Sequence, residues 1–182
     1  MAFDPWSYAD KTGLEHAHQT ALFMWANMAM RFGPNIANDP HSYTVAGFAQ
    51  KQFEGKGGLG FIKYSAPIPQ LKWLHAVHNQ GHGDAIRGAK AKAEGVKAGV
   101  SDLFLPVPLV EARPPTAGWL GDYHGWSFCA GLYLELKVGS NTPSEQQLEF
   151  MDDMRAAGYQ ADWVVGWEMA RERILAYLQI NC

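Results

Sequence analysis

Apolar residues recur at helical spacing from Gly13 to Arg31, and Gly33-Pro34 follows as a stop, so this stretch is predicted to be an amphipathic helix. Leu71 to His78 has the length and composition of a strand, and Asn79 to Gly83 is a loop. Asp84 to Glu94 is expected to form a basic, Ala-rich helix capped by Gly95. Val100 to Leu105, an apolar run between Gly99 and Pro106, suits a buried strand. Pro106 to Ala130 is too rich in Pro and Gly for regular structure apart from hairpin strands. Gly131 to Val138 is the clearest strand of the chain. Thr142-Pro143-Ser144-Glu145 opens a helix running to Ala157, with Gly158 beyond it. Gln160 to Val165 reads as a strand and Trp167 to Leu178 as a final helix. With no internal repeat and no linker, residues 1–182 are expected to form one domain. The order of elements indicates an α/β sandwich around a mixed sheet of about four strands flanked by helices.

Some polar groups break this pattern. Along Gly131 to Val138 the leucines point one way, while Tyr133, Glu135 and Lys137 point the other. Asp102 opens the preceding strand. If the two strands are adjacent, two carboxylates and an ammonium group converge, and close carboxylates raise each other's pKa. A divalent cation such as Mg²⁺ or Mn²⁺ removes that conflict, because hard oxygen ligands suit it. On the first helix Glu15 lies within about 80° of Leu22, Trp25 and Ala29, and a carboxylate on an apolar face is costly unless paired or metal-bound. Gln147 shares its helix face with Met151 and Met154. Each case also has an ordinary explanation: a strand with one wet face, or a helix-end residue reaching water. Four elements that each present such groups are harder to dismiss.

Composition narrows the class. The 182 residues hold only two cysteines, Cys129 and Cys182, which argues against a disulfide framework or a cysteine-based zinc site and for a reducing cytoplasm. No apolar run is long enough to span a membrane, and the N-terminus lacks a signal-peptide pattern. The formal net charge is −3, yet Lys51 to Ser101 carries eight basic residues against three acids. Such a segregated basic segment can supply a phosphate footprint. The histidines offer no convergent zinc set: His16 and His18 are about 160° apart on their helix, and His75 and His78 fall on opposite strand faces. Gly81-His82-Gly83 lacks the Lys-Ser/Thr of a phosphate-binding loop.

Asp102 followed by Glu135-Leu136-Lys137 resembles the D…(D/E)-x-K pattern of the PD-(D/E)xK nuclease superfamily. Within it, the chain is similar to the virus-type replication-repair nuclease (VRR-NUC) domain. The likeness rests on Glu15-His16 with Gln19, Leu22 and Trp25, on His75 to Asn79, and on Lys92 to Leu103. It continues through Gly131 to Lys137, Pro143-Ser144-Glu145 with Gln147, and Ala156 to Tyr159. It covers roughly residues 13–180. The chain departs from the family at Ser101, where Pro is usual, and in apparent insertions at 35–69 and 106–130.

The resemblance implies a restriction-endonuclease-like core and hydrolysis of DNA phosphodiester bonds with Mg²⁺ or Mn²⁺. Asp102, Glu135 and the Leu136 carbonyl would hold the metal, and Glu15 would join directly or through water. Lys137 would orient water or stabilise charge on the phosphate, and Gln147 would position the water or a phosphate oxygen. Arg87, Lys90 and Lys92 are candidates for gripping the DNA backbone. It further implies a homodimer acting on branched DNA, as junction resolvases do, in phage or bacterial replication or repair. The rival reading is a DNA-binding replication accessory that keeps the fold but does not cleave.

Overall fold

The computed structural model describes residues 5–38, 66–77, 93–112 and 126–179. The chain divides into two compact units. The first comprises residues 1–74, 136–141 and 164–182, the second residues 75–135 and 142–163.

The first unit is built on α2 (Glu15–Phe32), which buries Ala17, Ala21, Leu22, Trp25 and Ala29 along one stripe. It packs against α1 (Pro5–Thr12), α3 (Pro34–Ala37) and α5 (Gly166–Tyr177). The sequence pattern did not anticipate α1. Pro5 suits a first helical position, and Trp6 and Ala9 supply its buried side, with Trp6 stacked on Trp167 at 5.6 Å. Trp25 donates its indole N–H to Asn38 Oδ1 at 3.0 Å. The start of α5 is capped from α2: His18 Nδ1 accepts the Trp167 N–H at 3.3 Å.

The expected strand at Leu71 to His78 starts instead within a 3-10 turn, Pro69–Trp73, and only His75–Ala76 form a strand, β1. The physical reason lies in the spacing of its buried residues. Ile68, Leu71 and Leu74 recur every third position, which matches three residues per turn rather than strand alternation. Ile68 N–H also bonds to Ala29 O at 3.0 Å, fixing the turn to α2.

A four-stranded sheet has the order β1-β2-β5-β6, with β2 at Leu103–Leu105, β5 at Leu132–Lys137 and β6 at Gln160–Val165. β1 pairs antiparallel with β2, and β2 antiparallel with β5. Gln160 N–H bonds to Gly131 O at 2.9 Å, joining β5 and β6 at their beginnings. Both strands run on from that end, with α4 (Glu145–Ala156) as the crossover, so this pair is parallel. The architecture is therefore mixed α/β, as the pattern of elements predicts. Leu103, Leu105, Leu132, Leu134 and Leu136 are fully buried. Each stabilises the fold by roughly 1.5–3 kcal/mol relative to exposure. β3 (Leu109–Ala112) and β4 (Trp126–Cys129) form a separate antiparallel hairpin, where hairpin strands are expected. Residues 39–65, 84–92 and 113–125 lie outside the described residues, and with them most of both expected insertions and of the basic helix.

Two glycines in the second unit permit close backbone approach. Gly131 sits where a Cβ would meet the Phe104 ring at 2.9 Å and Leu105 O at 3.0 Å. At Gly99, φ is +82° and a Cβ would lie 2.6 Å from Gln146 O. The loop that leads into Asp102 thus packs backbone to backbone on the first turn of α4. Gly99→Ala should cost about 3 kcal/mol or more in urea unfolding, combining left-handed strain with the clash. Gly95→Ala, at φ +94° but with nothing within 4 Å, should cost only the strain, about 1–2 kcal/mol. Equal losses in the two variants would show that the Gly99 contact carries no weight.

Candidate active site

The antiparallel register of β2 and β5 sets Leu103 against Leu134 and Phe104 against Tyr133. Continued by one residue, it sets Asp102 opposite Glu135. Directly opposed residues share a sheet face with their Cβ atoms about 4.5–5.5 Å apart. The adjacency on which convergence of the two acids depends is therefore present. Asp102 is clamped from its other side as well, since its carbonyl accepts the Val77 N–H at 2.7 Å.

Glu135 is 0% exposed, although it lies on the polar face of β5. Its Oε1 accepts a hydrogen bond from Gln147 Nε2 of α4. Gln147 has a second task. Its Oε1 accepts the Ser144 N–H at 2.9 Å, while Ser144 Oγ accepts the Gln147 N–H at 3.3 Å, a reciprocal capping box. The cap orients the amide: with the oxygen held by Ser144, only the NH₂ end can face Glu135. Ser144-x-x-Gln147 is readable in the sequence as a capping box, but the contact of Gln147 with Glu135 is not, because it joins elements distant in sequence.

Below the acid pair, the same sheet face carries an aromatic cluster. Phe104 and Tyr133 stack at 4.2 Å, with Tyr159 edge-on to both and Phe150 edge-on to Tyr133. Burial, with a smaller contribution from Tyr159, pushes the Tyr133 phenol above its ordinary value. The cluster gives the acids an apolar flank in the second unit.

In the first unit, Lys137 continues the polar side of β5 and is 8% exposed. Its Nζ lies 3.9 Å from Glu15 Oε2. Of the two environments open for Glu15, the helix end reaching water is the one observed. Glu15 is not an acid stranded on an apolar face: its side chain is 43% exposed, and it occupies the first residue of α2, where the helix dipole favours negative charge. Leu136, between the two polar residues, turns its side chain into the core. Among the described residues, no three His, Cys, Asp or Glu side chains form a metal-binding group. Arg87, Lys90 and Lys92 lie outside the described residues.

Gln147→Glu isolates the Glu135 contact, because Glu preserves the capping box while removing the donor. A second carboxyl would then face Glu135, and such a pair holds one proton more tightly in the folded state than in the unfolded chain. Stability contributed by that raised pKa is present at low pH and lost as pH rises. We expect the variant to be destabilised by about 2 kcal/mol or more at pH 8 and by less at pH 5, measured by urea unfolding. A penalty independent of pH would contradict the contact.

No family model matches the chain, and no curated protein matches it. Among solved structures, one described as a "VRR_NUC domain protein" is similar to this chain at 21% sequence identity, with a TM-score of 0.49. The match covers 92% of this chain and 89% of that one.

Proposed function

We propose that this chain is a metal-dependent deoxyribonuclease that hydrolyses phosphodiester bonds, with Asp102, Glu135 and Lys137 at the centre of its site. The observation that carries this reading is the antiparallel pairing of β2 with β5, whose register, continued by one residue, brings Asp102 level with the wholly buried Glu135. Like charges directly opposed in a sheet are destabilising, and an apolar pair would serve a purely structural strand better. An arrangement so costly to folding is expected where a ligand of opposite charge is bound.

Two facing carboxylates are a hard-oxygen donor set that fits Mg²⁺ or Mn²⁺. The Leu136 carbonyl is the third oxygen of this proposal, and Glu15 contributes directly or through water. When bound, such a cation supplies Lewis acidity to the phosphate and lowers the pKa of water. The chain's own side chains do the rest. Gln147 fixes the orientation of the Glu135 carboxylate from the helix cap. Lys137 holds a positive charge in a largely desolvated position, where it can stabilise the charge that develops on the phosphate. Glu15, within reach of that ammonium group, limits where it points. Arg87, Lys90 and Lys92 are assigned the salt-sensitive grip on the backbone. For branched DNA, two symmetric cuts need two sites, so the working unit on a junction would be a pair of chains. The setting would be phage or bacterial DNA replication or repair.

Labelled four-way junction, flap and duplex DNA, incubated with Mg²⁺, with Mn²⁺ or with a chelator, test the proposal. Cleavage should require the metal. Asp102→Ala and Glu135→Ala should each reduce it by at least about a hundredfold, about 2.7 kcal/mol of transition-state stabilisation, while DNA binding is largely retained. Full activity in either variant would overturn the site. DNA binding without cleavage of any substrate would identify a binding module instead.

A further inference from the structure

The side-chain amide of Gln147 is engaged at both ends. Its Oε1 accepts the Ser144 N–H at 2.9 Å, and its Nε2 donates to Glu135 Oε1. The capping box uses only the oxygen end, so the NH₂ end serves Glu135 alone. Glu135 is wholly buried, and parting its Oε1 from this donor is therefore costly. The same turn of α4 braces the approach to the other acid. A Cβ at Gly99 would lie 2.6 Å from Gln146 O, so the loop that leads into Asp102 rests directly on the backbone of that turn. Residues 144–147 thus steady both acids, one through a side chain and one through close packing.

This bears on which cation the acids can hold. Ca²⁺ takes about six to eight oxygens, commonly both oxygens of a carboxylate, at sites that flex around it. Mg²⁺ demands near-ideal octahedral geometry, keeps several waters and needs few carboxylates. A cation that grips Glu135 through both oxygens must compete with the Gln147 amide for Oε1. A cation that uses one oxygen need not. We infer that Gln147 is a positioning residue that holds Glu135 to single-oxygen coordination, making the site selective for Mg²⁺ or Mn²⁺ over Ca²⁺. The inference rests on the proposal that Asp102 and Glu135 hold a cation, and it names the group that decides which cation is favoured.

The test is calorimetric titration of Mn²⁺ and of Ca²⁺ into the full-length chain without DNA. The wild type should prefer Mn²⁺ by at least about tenfold. Gln147→Met keeps the length of the side chain but has no amide. It should weaken Mn²⁺ binding about tenfold, the usual effect of losing a group that orients a metal ligand, while Ca²⁺ binds as tightly as before or more tightly. Gln147→Ala should shift the preference in the same direction, which guards against a folding defect peculiar to one variant. Ser144→Ala removes the cap hydroxyl but keeps the backbone N–H that orients the amide. It should lower the urea midpoint and leave the Mn²⁺ preference within about twofold of the wild type. Equal weakening of both ions in the two Gln147 variants, or equal binding of both ions by the wild type, would overturn the inference. If the wild type binds neither ion, the cation site fails and the inference with it. If Mn²⁺ binds but its preference over Ca²⁺ is the same with and without the Gln147 amide, only the selectivity assignment fails.

Discussion

A slip of one residue in the pairing of β2 with β5 would turn every side chain of one strand to the opposite face of the sheet. The five buried leucines of these strands fix the register, because each must reach the core. In that register Phe104 falls opposite Tyr133, and continuing it by one residue brings Asp102 level with Glu135. The polar constellation is thus a by-product of hydrophobic pairing on the other face. Gly131 supports it by allowing β5 to approach Phe104 and Leu105, and Gly99 by letting the loop before Asp102 close onto α4.

The polar face is held by a second constraint, the double use of one amide. Gln147 completes the N-terminal cap of α4 and bonds to Glu135 with its other end. A buried carboxyl group needs a donor, and here the donor is oriented by the secondary structure that carries it. Lys137, further along β5, has the exposed end of α2 within ion-pair reach through Glu15. Each charged group therefore relies on a helix start, one through a cap and one through an acid in the first turn.

Much of this was legible in the sequence, and the exceptions have physical causes. The strands of β5 and β6 and helices α2, α4 and α5 follow their apolar periodicity and their caps closely. The stretch from Leu71 to His78 misled because a short apolar run does not distinguish strand alternation from a repeat of three. Helix α1 was missed because its apolar side is only Trp6 and Ala9, too few positions for a period. Asp102, Glu135, Lys137 and Gln147 could be named from alternation and helix faces, but not the register that opposes the two acids. Register depends on pairing between distant stretches, on which local pattern is silent. For Glu15 the wheel projection leaves two environments open, and its place at the first residue of α2 decides for the helix end reaching water.

The central claim is that Asp102, just before β2, and Glu135 of β5 create a cation site. Titration of Mn²⁺ into the full-length chain without DNA, followed calorimetrically for the wild type, Asp102→Asn and Glu135→Gln, tests it without reference to catalysis. Saturable binding to the wild type, weakened at least about tenfold in each variant, about 1.4 kcal/mol, is the predicted result. Binding of equal strength in all three proteins, or none in the wild type at millimolar metal, would contradict it.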